Sequence, residues 1–120
     1  MFTERSALVD DGRPMRGYGV AVTPGRDGPL VFVAGYGEPN RLYAREGEGF
    51  SDTACGIVAD GARHGMGACA ADLDADGCEE VYVHNCARGV DGGDPDLLLS
   101  RLEADRYRWT DVFASGVNAD

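Results

Sequence analysis

The chain has 120 residues, a formal net charge of −10, and eleven basic residues that are all arginine. This length supports one domain around a single core, no apolar run reaches the ~18–20 residues of a membrane helix, and so acidic a surface repels nucleic-acid phosphates. Two compatible readings account for the acidity: acidic loops gathered for divalent cations, and a salt-adapted, strongly solvated surface, which is taken as the main cause. The opening Met1-Phe2-Thr3-Glu4-Arg5 lacks the basic-then-apolar layout of a secretory signal. The chain as written is therefore expected to be soluble and cytoplasmic, or extracellular if it is a piece of a longer exported protein.

Two landmarks recur at one offset. Phe2-Thr3-Glu4 returns as Phe50-Ser51-Asp52, and Gly17-Tyr18-Gly19-Val20-Ala21 returns as Gly65-Met66-Gly67-Ala68-Cys69, both 48 residues on. Trp109-Thr110-Asp111 is a third copy of the first landmark, displaced by a turn-rich insertion over 87–96. In chain order the first unit, about 2–52, carries the apolar runs Val20-Ala21-Val22, Leu30-Val31-Phe32-Val33 and Leu42-Tyr43, and ends at Phe50. The second, about 50–113, carries Ala68-Cys69-Ala70, Val81-Tyr82-Val83 and Leu97-Leu98-Leu99, and ends at Trp109. Short β-branched and aromatic runs bounded by glycine, proline and aspartate predict strands. Eighteen glycines and five prolines leave no stretch for a long amphipathic helix. The expectation is an all-β chain with one repeat domain over 1–120, each unit holding about four short strands, as in a propeller blade. Ser115-Gly116-Val117-Asn118-Ala119-Asp120 echoes Cys55-Gly56-Ile57-Val58-Ala59-Asp60, so a further repeat is expected to start over 114–120.

Between the first two runs of the second unit stands Asp72-Leu73-Asp74-Ala75-Asp76-Gly77-Cys78-Glu79-Glu80. A hard cation such as Ca²⁺ takes six to eight oxygen ligands from carboxylates and backbone. Alternate residues of a tight loop point to one side, so Asp72, Asp74 and Asp76 converge, and Gly77 permits the turn that wraps the chain around the ion. The Cys78 backbone carbonyl is the next expected ligand; its thiol has no part. An EF-hand would need an acid at the twelfth position, where apolar Val83 stands. Mg²⁺ prefers water-rich octahedra to such a loop. The corresponding stretch of the first unit, Thr23-Pro24-Gly25-Arg26-Asp27-Gly28, keeps the turn and has lost two carboxylates. Asp91-Gly92-Gly93-Asp94-Pro95-Asp96 also bears three acids, but its proline and glycine placement predict a solvated turn rather than a second metal site.

The order Gly65-Met66-Gly67, then Asp72 to Glu80, then Val81-Tyr82-Val83-His84-Asn85 resembles the FG-GAP/VCBS-repeat β-propellers, the integrin-α-like group with cartilage acidic protein relatives. Pro39-Asn40-Arg41-Leu42-Tyr43 and Phe50-Ser51-Asp52 match as well, and the resemblance runs from about Phe2 to Ala114. It implies two four-stranded antiparallel blades of a β-propeller, a partial propeller or fragment, because such propellers close with several blades. The family's loop takes an acid at its ninth position, where Glu80 stands in place of the more usual aspartate. The implied metal ligands are Asp72, Asp74, Asp76, Cys78 through its carbonyl, and Glu80, around a structural Ca²⁺. The implied function is non-catalytic: a calcium-binding repeat module supporting a protein- or glycan-recognition surface. Its partners would be a protein, a glycan or further blades, with homo-oligomers through open blade edges, and neither nucleic acid nor membrane. The alternatives are a propeller-type enzyme fragment and a self-assembling structural repeat segment.

Other candidates are weaker. Cys55, Cys69, Cys78 and Cys86 contain no C-x-x-C and are expected as free thiols, Cys69 buried in its run of small residues. Gly65 to Ala70 fits a dinucleotide pattern, yet the acidic loop that follows would repel a pyrophosphate. His64 and His84 are expected at packed or rim positions, and no serine has a histidine beside it in sequence. Most of Tyr18, Tyr36, Tyr43, Phe50 and Trp109 are expected in the core, with Tyr36 at an exposed rim.

Overall fold

A computed structural model describes residues 2–8, 12–61, 63–86, 94–102 and 105–112, without the side chains of 102 and 105–107. After a 3₁₀ turn at Ser6–Leu8 the strands are β1 (Gly17–Pro24), β2 (Pro29–Gly35), β3 (Arg41–Glu46) and β4 (Gly49–Asp52). One helical turn, α1 (Gly56–Ala59), then leads into β5 (Gly65–Ala71), β6 (Glu80–Asn85), β7 (Leu97–Leu102) and β8 (Asp105–Asp111). The chain is all-β, in two four-stranded antiparallel sheets ordered β1-β2-β3-β4 and β5-β6-β7-β8. Each predicted apolar run lies in one of these strands. Among the described residues no helix is long and apolar enough to cross a membrane.

The repeat read from two landmarks extends to individual hydrogen bonds. Both first strands slip register at the same place, between Gly17 and Gly19 and between Gly65 and Gly67. Asp52 Oδ1 accepts the Leu42 N–H, and Asp111 Oδ1 accepts the N–H of the matching Leu98. Leu42 and Leu98 each return their carbonyl to the residue after that aspartate, Thr53 or Val112, at 2.8 Å. Between β2 and β3, Asn40 Oδ1 accepts the Gly35 N–H; between β6 and β7, Asp96 Oδ1 accepts the Asn85 N–H. Residues 2–4, the earliest copy of the landmark, belong to neither sheet, and Phe2 is fully exposed. The expected repeat start at 114–120 and most of the insertion at 87–96 lie outside the described residues.

Residues paired across antiparallel strands share a face, so the register sorts side chains into four faces. Ala21, Phe32, Ala34 and Leu42 of the first sheet are buried against Val81, Val83, Leu97 and Leu99 of the second. Each of the larger side chains contributes roughly 1.5–3 kcal/mol when fully buried. Glycine permits the sheets to meet backbone to backbone: a Cβ at Gly19 would lie 2.6 Å from the Ala68 nitrogen and the Gly67 carbons. Val58 of α1 joins the same core, held by Asn40, whose Nδ2 donates to the Val58 carbonyl at 3.1 Å.

The other two faces correct the sequence reading. Cys69 is exposed, because its strand turns Ala68 and Ala70 toward the first sheet and Cys69 away from it. Tyr18, Val20 and Val22 alternate along the outer face of β1, each 59% exposed, so Tyr18 is not a core residue. Tyr36 is half-buried, edge-on to both Tyr18 and His64, with ring centroids 5.3 and 4.9 Å away. Tyr43 is buried as expected. All four cysteines are free thiols.

Candidate metal centre

The acidic loop is the connection of a β-hairpin. The Ala71–Glu80 pair closes the β5–β6 ladder, and residues 72–79 bulge out between them. Two left-handed residues fold the loop back on itself: Gly77 at φ 89° and Ala75 at φ 61°. Glycine takes that conformation at no steric cost, whereas an alanine there is strained and must be held by its surroundings. The holding bonds are on either side of it. Asp76 N–H donates to Asp72 Oδ1 at 3.1 Å and to Asp74 Oδ1 at 3.0 Å, and Gly77 N–H donates to Asp72 Oδ2 at 2.9 Å. Cys78 N–H donates to Asp76 Oδ1 at 2.7 Å.

These bonds turn the carboxylates inward. One oxygen from each of Asp72, Asp74, Asp76 and Glu80 lies within 4.8 Å of the others, a group that could hold a metal ion. The three aspartates are exposed, while Glu80 is buried and is anchored by the Leu73 N–H on its Oε2 at 2.7 Å. Two like charges at such separations repel by about 1 kcal/mol in water and by more where protein screens less. The structure thus assembles the four predicted carboxylates and leaves the Cys78 thiol outside the group. Among the described residues no other cluster of this kind is found.

Asp94 and Asp96, read from sequence as part of a solvated turn, are tied into the second sheet instead. Asp94 Oδ2 accepts the His64 N–H at 2.9 Å and lies 2.8 Å from His64 Nδ1. The bond from the His64 ring, with that N–H, holds the Asp94 carboxyl below the usual range. Asp96 accepts from Tyr82 and from the Asn85 N–H, and lies 3.2 Å from His84 Nδ1. His64 bridges the two sheets through its pairing with Tyr36, and His84 lies exposed within β6, on the open face of the second sheet.

One buried acid escaped the sequence reading. Asp60 caps α1 in the left-handed region at φ 53°, its side chain only 5% exposed and its Oδ2 without a hydrogen bond among the described residues. Burial pushes its carboxyl up to about 6, against the opposing charge of Arg63, whose Nε is 3.1 Å away; Asp111 and Asp94 add to the rise. In sequence Asp60 is only one aspartate among fourteen. No protein-family model matches the chain, and no curated protein matches it.

Proposed function

We propose that the two sheets are successive blades of a propeller of the FG-GAP/VCBS type, and that the loop Asp72–Glu80 holds one structural Ca²⁺. The observation that carries the metal reading is the convergence of carboxylates at loop positions one, three, five and nine within 4.8 Å. Ligand oxygens around one ion can stand no farther apart than twice the metal–oxygen distance, about 4.6–5.2 Å for Ca²⁺ and about 4.0–4.2 Å for Mg²⁺. The 4.8 Å bound is compatible with Ca²⁺, and the loop's protein oxygens favour Ca²⁺ over Mg²⁺, which keeps several of its waters. Asp72, Asp74, Asp76 and Glu80 would ligate the Ca²⁺, with the Cys78 carbonyl as the fifth protein ligand. The bound ion would supply charge neutralisation, joining the start of β6 to the end of β5 through Glu80.

The blade reading rests on the faces. By register, Val20, Val22, Val31 and Val33 on the open side of the first sheet occupy the places of Ala68, Ala70, Val81 and Val83, which the second sheet buries against the first. Likewise Cys69, Tyr82 and His84 on the second sheet's open side stand where Ala21, Phe32 and Ala34 are buried. Each sheet thus carries one face for the preceding unit and one for the following unit. That is a head-to-tail arrangement, which builds rings or open stacks. The exposed valines would meet another blade of a longer chain or a second copy of this one. The assembled rims would then serve non-catalytic recognition of a protein or glycan.

Thermal unfolding with 1 mM CaCl₂, MgCl₂ or EDTA tests the metal reading, since a ligand that binds only the folded state stabilises it by mass action. A melting temperature raised by Ca²⁺ and not by Mg²⁺ is expected. Equal curves in all three solutions would reduce the loop to an acidic turn.

A further inference from the structure

Between the buried faces of the two sheets lies a cavity of about 180 Å³, open at one side. Leu30 and Leu42 of the first sheet and Trp109 of the second line it with apolar surface. Its charge runs against that of the whole molecule. Among the described lining residues Arg26 and Asp27 cancel in formal charge, which leaves Arg45 and Arg101 as a positive pair in a chain of net charge −10.

Arg101 is held in place from three sides. Its guanidinium lies 4.9 Å from the centroid of the Trp109 ring, and its Nη2 donates to the Pro24 carbonyl at 2.6 Å and to Thr23 Oγ1 at 3.3 Å. Arg45 and Arg101 thus present two guanidinium groups to one apolar cavity, and the planar fork of a guanidinium suits a planar carboxylate best. Size limits the remainder of the ligand. A cavity of ~150 Å³ lined by aliphatic side chains admits one benzene ring, so this one has room for a single ring and a small substituent. Aromatic and aliphatic lining with a few placed polar groups is the usual make-up of a small-molecule site.

We propose that this cavity binds a single-ring aromatic carboxylate, its ring against Leu30, Leu42 and Trp109 and its carboxylate toward the guanidinium groups of Arg45 and Arg101. The site belongs to the packing of the two sheets. It depends neither on the metal loop nor on how many blades assemble.

The reporter is built in, because Trp109 is the chain's one tryptophan. The full chain is titrated with benzoate and, separately, with the neutral isostere benzamide, following tryptophan fluorescence. Equilibrium dialysis of labelled benzoate supplies a second readout. Saturable binding near one equivalent is expected, with benzamide about tenfold weaker, as loss of a charge-assisted contact implies. Arg45→Gln, at an exposed position, should weaken benzoate by a similar factor while its circular dichroism matches the parent's. Arg45→Lys, which keeps the charge, should recover most of the affinity. Unsaturable quenching, equal affinity for benzamide, or an unaffected Arg45→Gln variant would overturn the proposal.

Discussion

Replacing Gly19 by alanine should loosen the packing of the two sheets, while the same change at its repeat counterpart Gly67 should not. The Cβ at position 19 would meet three backbone atoms of the second sheet at 2.6 Å, and at position 67 it would meet nothing within 4 Å. Backbone cannot rotate aside, and a comfortable carbon contact needs about 3.5–4.0 Å, so β1 and β5 must separate by about 1 Å. Overpacking of this kind costs roughly 1–3 kcal/mol, offset by the roughly 0.5–1 kcal/mol that alanine gains over glycine inside a strand. Gly67→Ala receives only the gain. Because both variants share the gain, they should differ by the overpacking cost alone, about 1–3 kcal/mol, or roughly 4–15 °C in melting temperature for a chain of this size. Urea and thermal unfolding by circular dichroism, on protein shown to be monomeric by sedimentation, measure the difference. Equal stability of the two monomeric variants would refute the packing argument. If a further blade covers the second sheet, Gly67→Ala should also impair that assembly.

Other expectations concern buried polar groups. Asp60 carries a folded-state pKa of about 6, above the 3.8 of a free aspartate. The stability this favours is complete below pH ~4 and is lost as the pH rises through ~6. Asp60→Asn should remove that slope, so the melting-temperature gap between variant and parent should change between pH 4 and 7; a constant gap would show that Asp60 titrates normally. Asn40→Ala orphans the Gly35 N–H and the Val58 carbonyl at a buried position, which should cost roughly 2–4 kcal/mol in urea unfolding. A loss below 0.5 kcal/mol would mean that Asn40 does not hold α1 to the first sheet.

Six of the eight strands were legible because each holds a short apolar run closed by glycine, proline or aspartate, β4 and β8 through the aromatic landmark that ends each unit, and the acidic loop because its four carboxylates fall within nine residues. What the sequence concealed depends on which side of a strand faces the neighbouring sheet. Ala68-Cys69-Ala70 reads as uniformly apolar, yet only its alanines turn inward, and Tyr18 likewise falls on the open side of β1. Asp94 was hidden for another reason: its partner His64 lies thirty residues back. The Arg101 contact with Thr23 spans 78 residues, so no local pattern announces the cavity it helps to line. The repeat was visible as two landmarks at one offset, with Asp52 and Asp111 as matching members of one of them, whereas the bond each accepts from the strand before it, Leu42 N–H or Leu98 N–H, emerged only from the structure.

Calorimetric titration of calcium into this chain and into Asp74→Ala, each followed by a thermal melt, tests the central claim most directly. Asp74 is exposed and contributes one of the four converging carboxylates, so its removal should abolish binding without unfolding the sheets. Saturation near one equivalent, with a melting temperature that calcium raises only in the parent, is the predicted result. Absence of binding, or an equal response from both proteins, would contradict the assignment of residues 72–80 as a calcium site.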